Sequence, residues 1–429
     1  MDKIQNAKIV SGYTYVENAP GLARVTEALR GAGRVAVDTE ADSLHHYFEK
    51  VCLIQLSFSG ANFIIDPLAG FSLSEFFDVL AQKELIFHAA DYDLRILKKS
   101  FGFRPQAPVS DTMIAAQVLG YEKIGLAALA EKFLGVIMPK SGQKADWSIR
   151  PLPERLLTYA SDDTKFLETL EGALMKNLQA LKRSAWHREC CERVVRTSGL
   201  PDKKDDKDPW RVKGSSRMSP QELVYLRELW KWRDDEARKK DYPPFYILKN
   251  EDLIELTAWC AKNPNGLQAE GPTPSARSRG YDASSLQAEG PTPSARSRGF
   301  DASSLQAEGP VFLKRFTGER LAGLENAFRT AKNMPRENWP LPLPKTEWSA
   351  ERPDQAKVEL LMEACKTLAK ELKIESSFLA PRAALTAVIQ HQPRTRERIM
   401  EVSGLLSWQA ELLAPAIQKI LLGSDPKPA

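Results

Sequence analysis

The stretch Arg34-Val-Ala-Val-Asp-Thr-Glu40 decides the fold of the first part of this chain. An apolar, β-favouring run leads directly into Asp38 and Glu40, which predicts a buried strand with a charged end. Side chains alternate faces along a strand, so the two carboxylates point the same way. Buried carboxylates need a positive partner, and Mg²⁺ and Mn²⁺ prefer carboxylate oxygens. The alternative is a strand that ends in a polar loop, with Asp38 capping a turn.

Length and composition are those of an ordinary multidomain globular protein. The 429 residues exceed what one core usually holds, about 250–300 residues. The net charge of +4 permits a polyanionic partner without requiring one. Five cysteines without metal-ligand spacing indicate a reducing cytoplasm and argue against a zinc module. With neither a signal peptide nor an apolar run of membrane length, we expect a cytoplasmic protein that contacts no membrane.

Hydrophobic periodicity predicts an α/β domain with a mixed sheet around the opening strand. A hairpin is expected where Val51–Phe58 and Asn62–Asp66 flank Ser59-Gly60-Ala61. A further short strand, residues 84–90, runs directly into a helix that begins at Asp91, a plausible helix N-cap. Additional helices are predicted over residues 20–32, 72–82, 111–119, 125–134 and 152–196.

The remainder of the chain is helical in pattern after a polar linker at residues 197–217. Helices are expected to begin at Ser219-Pro220 and near Pro353, on either side of a Pro-rich stretch. Each helix carries an apolar face. The first face comprises Leu223, Leu226, Leu229 and Trp230, and the second Leu360, Leu361, Ala364, Leu368 and Leu372.

A near-perfect repeat interrupts this helical part. Leu267–Ser285 recurs at 286–304 with Tyr281 replaced by Phe300, and a third copy ends at Pro310. The copies are rich in Gly, Pro and Ser and carry little apolar surface, which predicts a disordered insertion at residues 265–310. The alternative is a flexible arm whose arginines touch nucleic acid: Arg277, Arg279, Arg296 and Arg298.

Two later segments supply partners for Asp38 and Glu40. A strand feeds a helix at His88–Asp93, where Asp93 is a candidate and Asp91 a rival that we attribute to capping. On a later helix, the spacing of four residues places Tyr159 and Asp163 on one face, with Asp162 as the rival carboxylate.

Taken together, these motifs resemble the three exonuclease motifs of the DEDD superfamily, and the tyrosine resembles its tyrosine branch. Further matches narrow the resemblance from the superfamily to the ribonuclease D family. They are Leu53–Leu56, Asp111-Thr112, Ala115-Ala116, Lys140-Ser141, Asp146-Trp147 and Arg150–Leu152. The segments 210–214, 232–238, 378–382 and 408–413 are similar to the HRDC modules of that family.

The resemblance implies an RNase H-like α/β exonuclease domain, a mixed sheet flanked by helices, at residues 1–196. Two all-α HRDC-type modules would follow the 197–217 linker. The first would span residues 218–335, interrupted by the insertion at 265–310, and the second residues 353–423 after a Pro-rich linker at 336–352.

The resemblance also implies a metal-dependent 3′–5′ exoribonuclease that trims structured RNAs such as tRNA precursors to 5′-monophosphates, and we expect a monomer. Two divalent ions, Mg²⁺ or Mn²⁺, would be held by Asp38, Glu40, Asp93 and Asp163, with Tyr159 orienting water. Candidate substrate contacts are His88, Gln55, Lys140 and Lys144. The alternatives are a proofreading-type DNA exonuclease and a non-catalytic nucleic-acid-binding protein.

Overall fold

The computed structural model describes residues 9–10, 12–138, 142–200, 208–263, 310, 313, 315–342 and 353–422. The chain forms two compact units, Met1–Asp202 with Glu347–Ala429 and Lys203–Thr346. Lys140, the 267–304 repeats and most of the Pro-rich linker lie outside the described residues. Within the described ranges, none of the helices combines the length and hydropathy of a membrane span.

A seven-stranded sheet organises the first unit. Its strands are β1 (Ile9–Val10), β2 (Tyr13–Val16), β3 (Arg34–Ala41), β4 (Val51–Phe58), β5 (Ala61–Ile65), β6 (Glu84–Phe87) and β7 (Val109–Asp111). The strand order is β1-β2-β5-β4-β3-β6-β7. β3 pairs antiparallel with β4 and parallel with β6, which confirms the predicted mixed sheet.

Within the described part of residues 12–200, eight α-helices accompany the sheet. They are α1 (Ala19–Arg30), α2 (Ser74–Ala81), α3 (Asp91–Phe101), α4 (Thr112–Leu119), α5 (Leu126–Leu134), α6 (Glu154–Lys165), α7 (Leu167–Ala180) and α8 (Ser184–Ser198). One sheet face packs Val35 and Val37 into a core with residues of α1, α2 and α3. The other face packs Ala36 against Leu167 of α7, so the unit is layered helix, sheet, helix.

The β4–β5 connection is the predicted hairpin. Ser59 and Gly60 both have positive φ angles, 52° and 76°. Such a two-residue turn matches the twist of antiparallel strands, and Gly60 adopts the left-handed conformation without steric cost. The turn fixes the register that pairs Gln55 with Ile64, and on its other side β4 pairs Gln55 with Asp38 of β3.

Two local predictions were wrong. The expected single helix over residues 152–196 is three helices, because the chain turns at Phe166 and again near Lys182, whose φ is 57°. Asp91 is not a cap: Ala90 holds the N-cap position, and Asp91 is the first helical residue, paired with Arg95.

The C-terminal helices pack into the first unit. They are α13 (Gln355–Leu372), α14 (Ser376–Leu379), α15 (Arg382–His391), α16 (Arg396–Ser403) and α17 (Ser407–Leu422). Leu361 and Leu413 share one hydrophobic core with Leu170 and Leu174 of α7. Of the apolar face predicted on α13, Leu360 is 60% exposed instead and takes no part in this core.

The second unit is helical: α9 (Pro220–Lys240), α10 (Pro244–Ile247), α11 (Asn250–Lys262) and α12 (Gly318–Lys332). α9 begins as predicted, since Ser219 and Glu222 form a reciprocal capping box. Leu223, Leu226 and Leu229 are buried on its core face.

Candidate active site

The C-terminal part of β3 and helix α6 bring three carboxylates together. Asp38 and Glu40 are half-buried on one face of β3, and Asp163 approaches them from α6. One oxygen from each of the three lies within 4.8 Å of the other two. A sheet strand and a helix separated by more than 100 residues of sequence thus form one acidic cluster.

The fourth predicted carboxylate, Asp93, lies beside this cluster. It is in the first turn of α3 and is only 5% exposed. The Thr39 hydroxyl donates a 2.6 Å hydrogen bond to Asp93 Oδ1. Asp93 is close enough for its charge to raise the pKa of Asp38. Thr39 therefore orients Asp93 from within the same short sequence that supplies Asp38 and Glu40.

Burial and mutual repulsion hold these carboxyl groups in their protonated form to unusually high pH. Burial, followed by the charges of Asp93, Asp163 and Glu40, raises the pKa of Asp38 well above its ordinary value. Burial is also the main cause that raises the pKa of Glu40 to about 9 and those of Asp93 and Asp163 to about 7. Without a cation, ionising these carboxyl groups together costs electrostatic free energy.

The donor set fits a divalent cation. Among the described residues, neither lysine nor arginine forms an ion pair with any of the four carboxylates. Four carboxylates without a protein cation, three of them converging, are the oxygen ligands that Mg²⁺ and Mn²⁺ prefer. This acidic cluster indicates that the domain uses a divalent metal.

Tyr159 lies one helical turn before Asp163 on α6, close enough that each side chain shifts the pKa of the other. Burial, together with the charges of Asp163, Glu40 and Asp38, raises the pKa of Tyr159 far above its ordinary value. The phenol therefore keeps its proton near neutral pH and acts as a hydrogen-bond donor.

The two rival carboxylates lie elsewhere. Asp91 is exposed and pairs with Arg95, at 2.8 Å between Arg95 Nη2 and Asp91 Oδ2. Asp162 is half-buried on α6, and the opposing charge that acts on it is that of Lys165. Neither belongs to the three-carboxylate cluster.

His88 follows β6 and has a defined tautomer. Thr112 donates its single hydroxyl hydrogen to the Phe87 carbonyl at 3.1 Å, so it accepts from His88 Nδ1 at 2.8 Å. Burial lowers the pKa of His88, which keeps the ring neutral. His88 Nε2 is consequently a hydrogen-bond acceptor.

Asp111 belongs to the Asp111-Thr112 motif, and its contacts show that it supports the backbone next to His88. Its carboxylate accepts from the backbone N–H groups of Ala89 and Ala90 and caps α4 through Met113 and Ile114. Ala89 has a φ of 68°, which is strained for a residue with a side chain. Asp111 thus stabilises the turn that leads from His88 into α3.

The other candidate substrate residues differ in their surroundings. Gln55 is fully buried opposite Asp38, and neither of its amide atoms has a hydrogen-bond partner within the described chain. Lys144 is exposed, while its carbonyl contacts His45 Nε2 at 3.1 Å. Lys140 lies outside the described residues.

Two protein-family models match this chain. The model for the 3′-5′ exonuclease matches residues 13–179, which contain the whole acidic cluster. The model for the HRDC domain matches residues 222–279, within the second unit.

Several relatives are named ribonuclease D. The one from Zymomonas mobilis is 34% identical over 247 residues, which are 56% of this chain and 62% of the relative. The one from Haemophilus influenzae is 31% identical over 275 residues, 63% of this chain and 69% of the relative. The chain spans about three fifths of the length of the relatives from Bartonella henselae and Zymomonas mobilis, 59% and 62%.

A solved structure has the same fold. The crystal structure of Escherichia coli RNase D matches with a TM-score of 0.65 and 21% identity. The match covers 96% of this chain and all of that one, 100%. At this level of identity the likeness concerns the fold.

Proposed function

Because this chain belongs to the ribonuclease D family, we propose that it is a metal-dependent 3′–5′ exoribonuclease that trims structured RNAs, including tRNA precursors. The observation that carries the proposal is the convergence of Asp38, Glu40 and Asp163. Asp93 and Tyr159 border this cluster and interact with it. The Escherichia coli protein of the same fold is described as an exoribonuclease involved in structured RNA processing, which supports RNA as the substrate.

Two ions, Mg²⁺ or Mn²⁺, would be held by the four carboxylates. Asp38 would serve both ions, Glu40 and Asp163 one of them, and Asp93 the other. When bound, the ions supply Lewis acidity that makes water nucleophilic near neutral pH and stabilises the leaving 3′-oxygen.

Tyr159 would orient the attacking water as a hydrogen-bond donor. Its raised pKa makes it a poor general base at neutral pH, and its position one helical turn before Asp163 keeps the hydroxyl beside the acidic cluster. Water would attack the phosphorus, and the bond to the 3′-oxygen of the preceding nucleotide would break. The product would be a nucleoside 5′-monophosphate, released from the 3′ end.

Three described residues would contact the terminal nucleotides. His88 Nε2 is free to accept a hydrogen bond from a ribose hydroxyl, given the tautomer that Thr112 sets. Gln55 offers a buried amide beside Asp38. Lys144 presents an exposed ammonium group to phosphates. Lys140 would act with Lys144, although it lies outside the described residues.

The protein would work as a monomer in the cytoplasm. All five cysteines are free and buried, as a reducing compartment favours.

The alternatives are a DNA exonuclease of the proofreading type and a non-catalytic nucleic-acid-binding protein. Side-by-side digestion of a 5′-labelled, 3′-extended tRNA and a single-stranded DNA of equal length separates all three. We expect stepwise shortening of the RNA at the higher rate. Faster loss of the DNA would support the proofreading type, and no loss of either would support a binding protein.

The metal-free protein is expected to lose thermal stability as the pH rises from about 6 to about 9. The pKa values of Asp93 and Asp163 are raised to about 7 and that of Glu40 to about 9. A carboxyl group with a raised folded-state pKa stabilises the fold while protonated, and this contribution is lost as the group ionises. Metal ions bind the ionised form, so the metal-induced rise in Tm should grow over the same pH range.

Thermal unfolding at both pH values, with chelator and with Mg²⁺, measures these effects. The variant Asp163→Asn removes one titrating carboxylate and should flatten the pH dependence of the metal-free Tm. A metal-free Tm that increases toward the higher pH would contradict the electrostatic account of the cluster.

The second unit offers a surface that suits unpaired RNA. Tyr242, Phe245 and Tyr246, here called the aromatic surface, are 51%, 46% and 57% exposed. The ring centroids of Phe245 and Tyr246 are 4.8 Å apart, and those of Tyr242 and Tyr246 6.4 Å apart. Exposed cations flank the aromatic surface in sequence: Arg238, Lys239, Lys240 and Lys249. Stacking rings beside cations are the usual means of holding single-stranded nucleic acid.

Replacing Phe245 and Tyr246 by alanine is expected to weaken binding of single-stranded RNA by about 10-fold or more, since base stacking contributes about 1–3 kcal/mol per base. Fluorescence anisotropy in chelator measures binding without hydrolysis. Leu341→Ala is the matched control, because Leu341 is an exposed apolar residue of the same unit, 77% exposed. Equal affinities for all three proteins would exclude the aromatic surface as an RNA contact.

A further inference from the structure

The segment Gly142–Leu152, which precedes α6, packs against the ring of Tyr159. A Cβ atom added to Gly142 would lie 2.4 Å from Tyr159 Cδ1, so the glycine backbone packs directly on the ring. Trp147, 1% exposed, has its ring centroid 6.1 Å from that of Tyr159 at an interplanar angle of 32°. The ring therefore takes its position from this segment as well as from its own helix.

Arg150 uses all five of its N–H donors, three of them toward Asp66 and Cys52 and two within the segment. Nε and Nη2 form a bidentate pair with Asp66, at 2.6 Å to Oδ2 and 2.8 Å to Oδ1. Nη2 also donates to the Cys52 carbonyl of β4 at 2.9 Å. Nη1 donates within the segment, to the carbonyls of Trp147 at 2.8 Å and Ile149 at 2.7 Å. One side chain thus connects the backbone at Trp147 and Ile149 to Asp66 and to the Cys52 carbonyl of β4.

Asp66 is itself held firmly. Its side chain is 5% exposed, it follows β5, and it accepts the Tyr15 hydroxyl at 2.6 Å and the Leu68 N–H at 2.9 Å. Burial alone would raise the pKa of Asp66, but hydrogen bonds from Arg150 and Tyr15 outweigh it and lower this pKa. A buried, bidentate, charge-assisted pair is more rigid than an exposed ion pair.

A second, weaker attachment joins the segment to the loop after β3. His46 Nε2 lies 3.0 Å from Ser148 Oγ, and Ser148 donates to Asp146 at 2.6 Å. Loss of Arg150 would leave this attachment in place, so the segment would loosen without detaching.

We infer that Arg150 is a positioning residue: through the Gly142–Leu152 segment it fixes the Tyr159 ring, and with it the direction of the hydroxyl beside the acidic cluster. This inference rests on the proposed exoribonuclease function only for its kinetic consequences. Arg150 touches no predicted metal ligand, so its replacement should lower kcat and leave KM nearly unchanged. A misplacement of 1 Å costs about 10²-fold in rate, and a partial loosening should cost about 10-fold.

A double-mutant cycle between Arg150→Met and Tyr159→Phe tests this on 3′-extended tRNA. If Arg150 acts through the Tyr159 hydroxyl, Arg150→Met should lower kcat about 10-fold in the wild-type background and less than about 2-fold in the Tyr159→Phe background. Arg34→Met is the matched control. Arg34, 34% exposed, pairs with the buried Glu171 at 2.9 Å. Its exposure and its buried carboxylate partner resemble those of Arg150, which is 27% exposed and pairs with Asp66. The control's effect should be the same in both backgrounds.

Amide hydrogen exchange in chelator provides a readout that needs no activity. Arg150→Met should speed exchange in residues 142–163 and leave β3 and β6 unchanged, and the gentler Asp66→Asn should do the same if Arg150→Met fails to fold. Additive kinetic effects, or exchange that rises uniformly across the unit, would overturn the inference. A wild-type protein that leaves RNA intact would refute the proposed function, while the exchange result would still decide the role of Arg150.

Discussion

Asp38→Ala is expected to reduce RNA trimming by about 10³-fold or more, the upper range for removing one electrostatic contact at a reacting centre. Asp38 lies on β3, and the charges of all three other carboxylates act on it. In the proposed two-metal site, it is the residue that both ions would share. Asp163→Asn is expected to abolish trimming as well, because it removes a carboxylate from the three-residue cluster.

RNA binding in chelator should survive both substitutions, since neither residue belongs to the aromatic surface of the second unit. Asp162→Asn is the matched control for Asp163→Asn: it makes the same chemical change at the adjacent residue, outside the acidic cluster. The Tm of metal-free Asp163→Asn should equal or exceed that of the wild type, because a buried repulsion is removed. Near-wild-type trimming by either Asp38→Ala or Asp163→Asn would refute the assignment of the site.

Deletion of residues 353–429 is expected to abolish the folded state of the first unit. α13–α17 complete the core that α4, α7 and α8 begin. The indole rings of Trp186 and Trp408 stack with centroids 4.5 Å apart at 10°. Arg183, 9% exposed, donates to the Val118 carbonyl at 2.9 Å and to the Leu372 carbonyl at 2.8 Å. Removing the C-terminal helices would expose this apolar surface and leave Arg183 half unsatisfied.

Single substitutions in the C-terminal helices test the same prediction through smaller losses of stability. Trp408→Ala should cost about 3–5 kcal/mol of unfolding free energy, as buried large-to-small changes usually do. Leu360→Ala, on the exposed side of α13, should cost less than about 0.5 kcal/mol. Urea unfolding monitored by circular dichroism measures both. A truncated chain of residues 1–352 that unfolds cooperatively and trims RNA would show that the C-terminal helices are an independent domain instead.

Local signals in the sequence were sufficient for the four central strands, β3 to β6, and for which site residues share a face, whereas β1, β2 and β7 were not predicted. The apolar run before Asp38 predicts a buried strand, and alternation puts Asp38 and Glu40 on one face. The 59–61 turn predicts the β4–β5 hairpin, and the four-residue spacing puts Tyr159 and Asp163 on one side of α6. Each of these inferences depends on residues that are close in sequence.

Contacts between distant segments could not be predicted in this way. An arginine before a proline gives no sign that its partner will be Asp66, 84 residues earlier. Thr39 could have been suspected, since it alternates between two carboxylates, but only the position of α3 makes it a partner of Asp93. The apolar face of α13 indicates that the helix is packed; it does not indicate that α7 and α8 supply the surface.

The most direct test of the central claim is 3′ trimming of an extended tRNA precursor with Mg²⁺, with excess chelator, and with Mg²⁺ restored. Gel analysis of the 5′-labelled RNA and mass spectrometry of the released products follow the reaction. The acidic cluster predicts one-nucleotide shortening and nucleoside 5′-monophosphates with metal, arrest in chelator, and recovery when metal returns. Shortening that continues in chelator, or internal fragments in place of monophosphates, would contradict it.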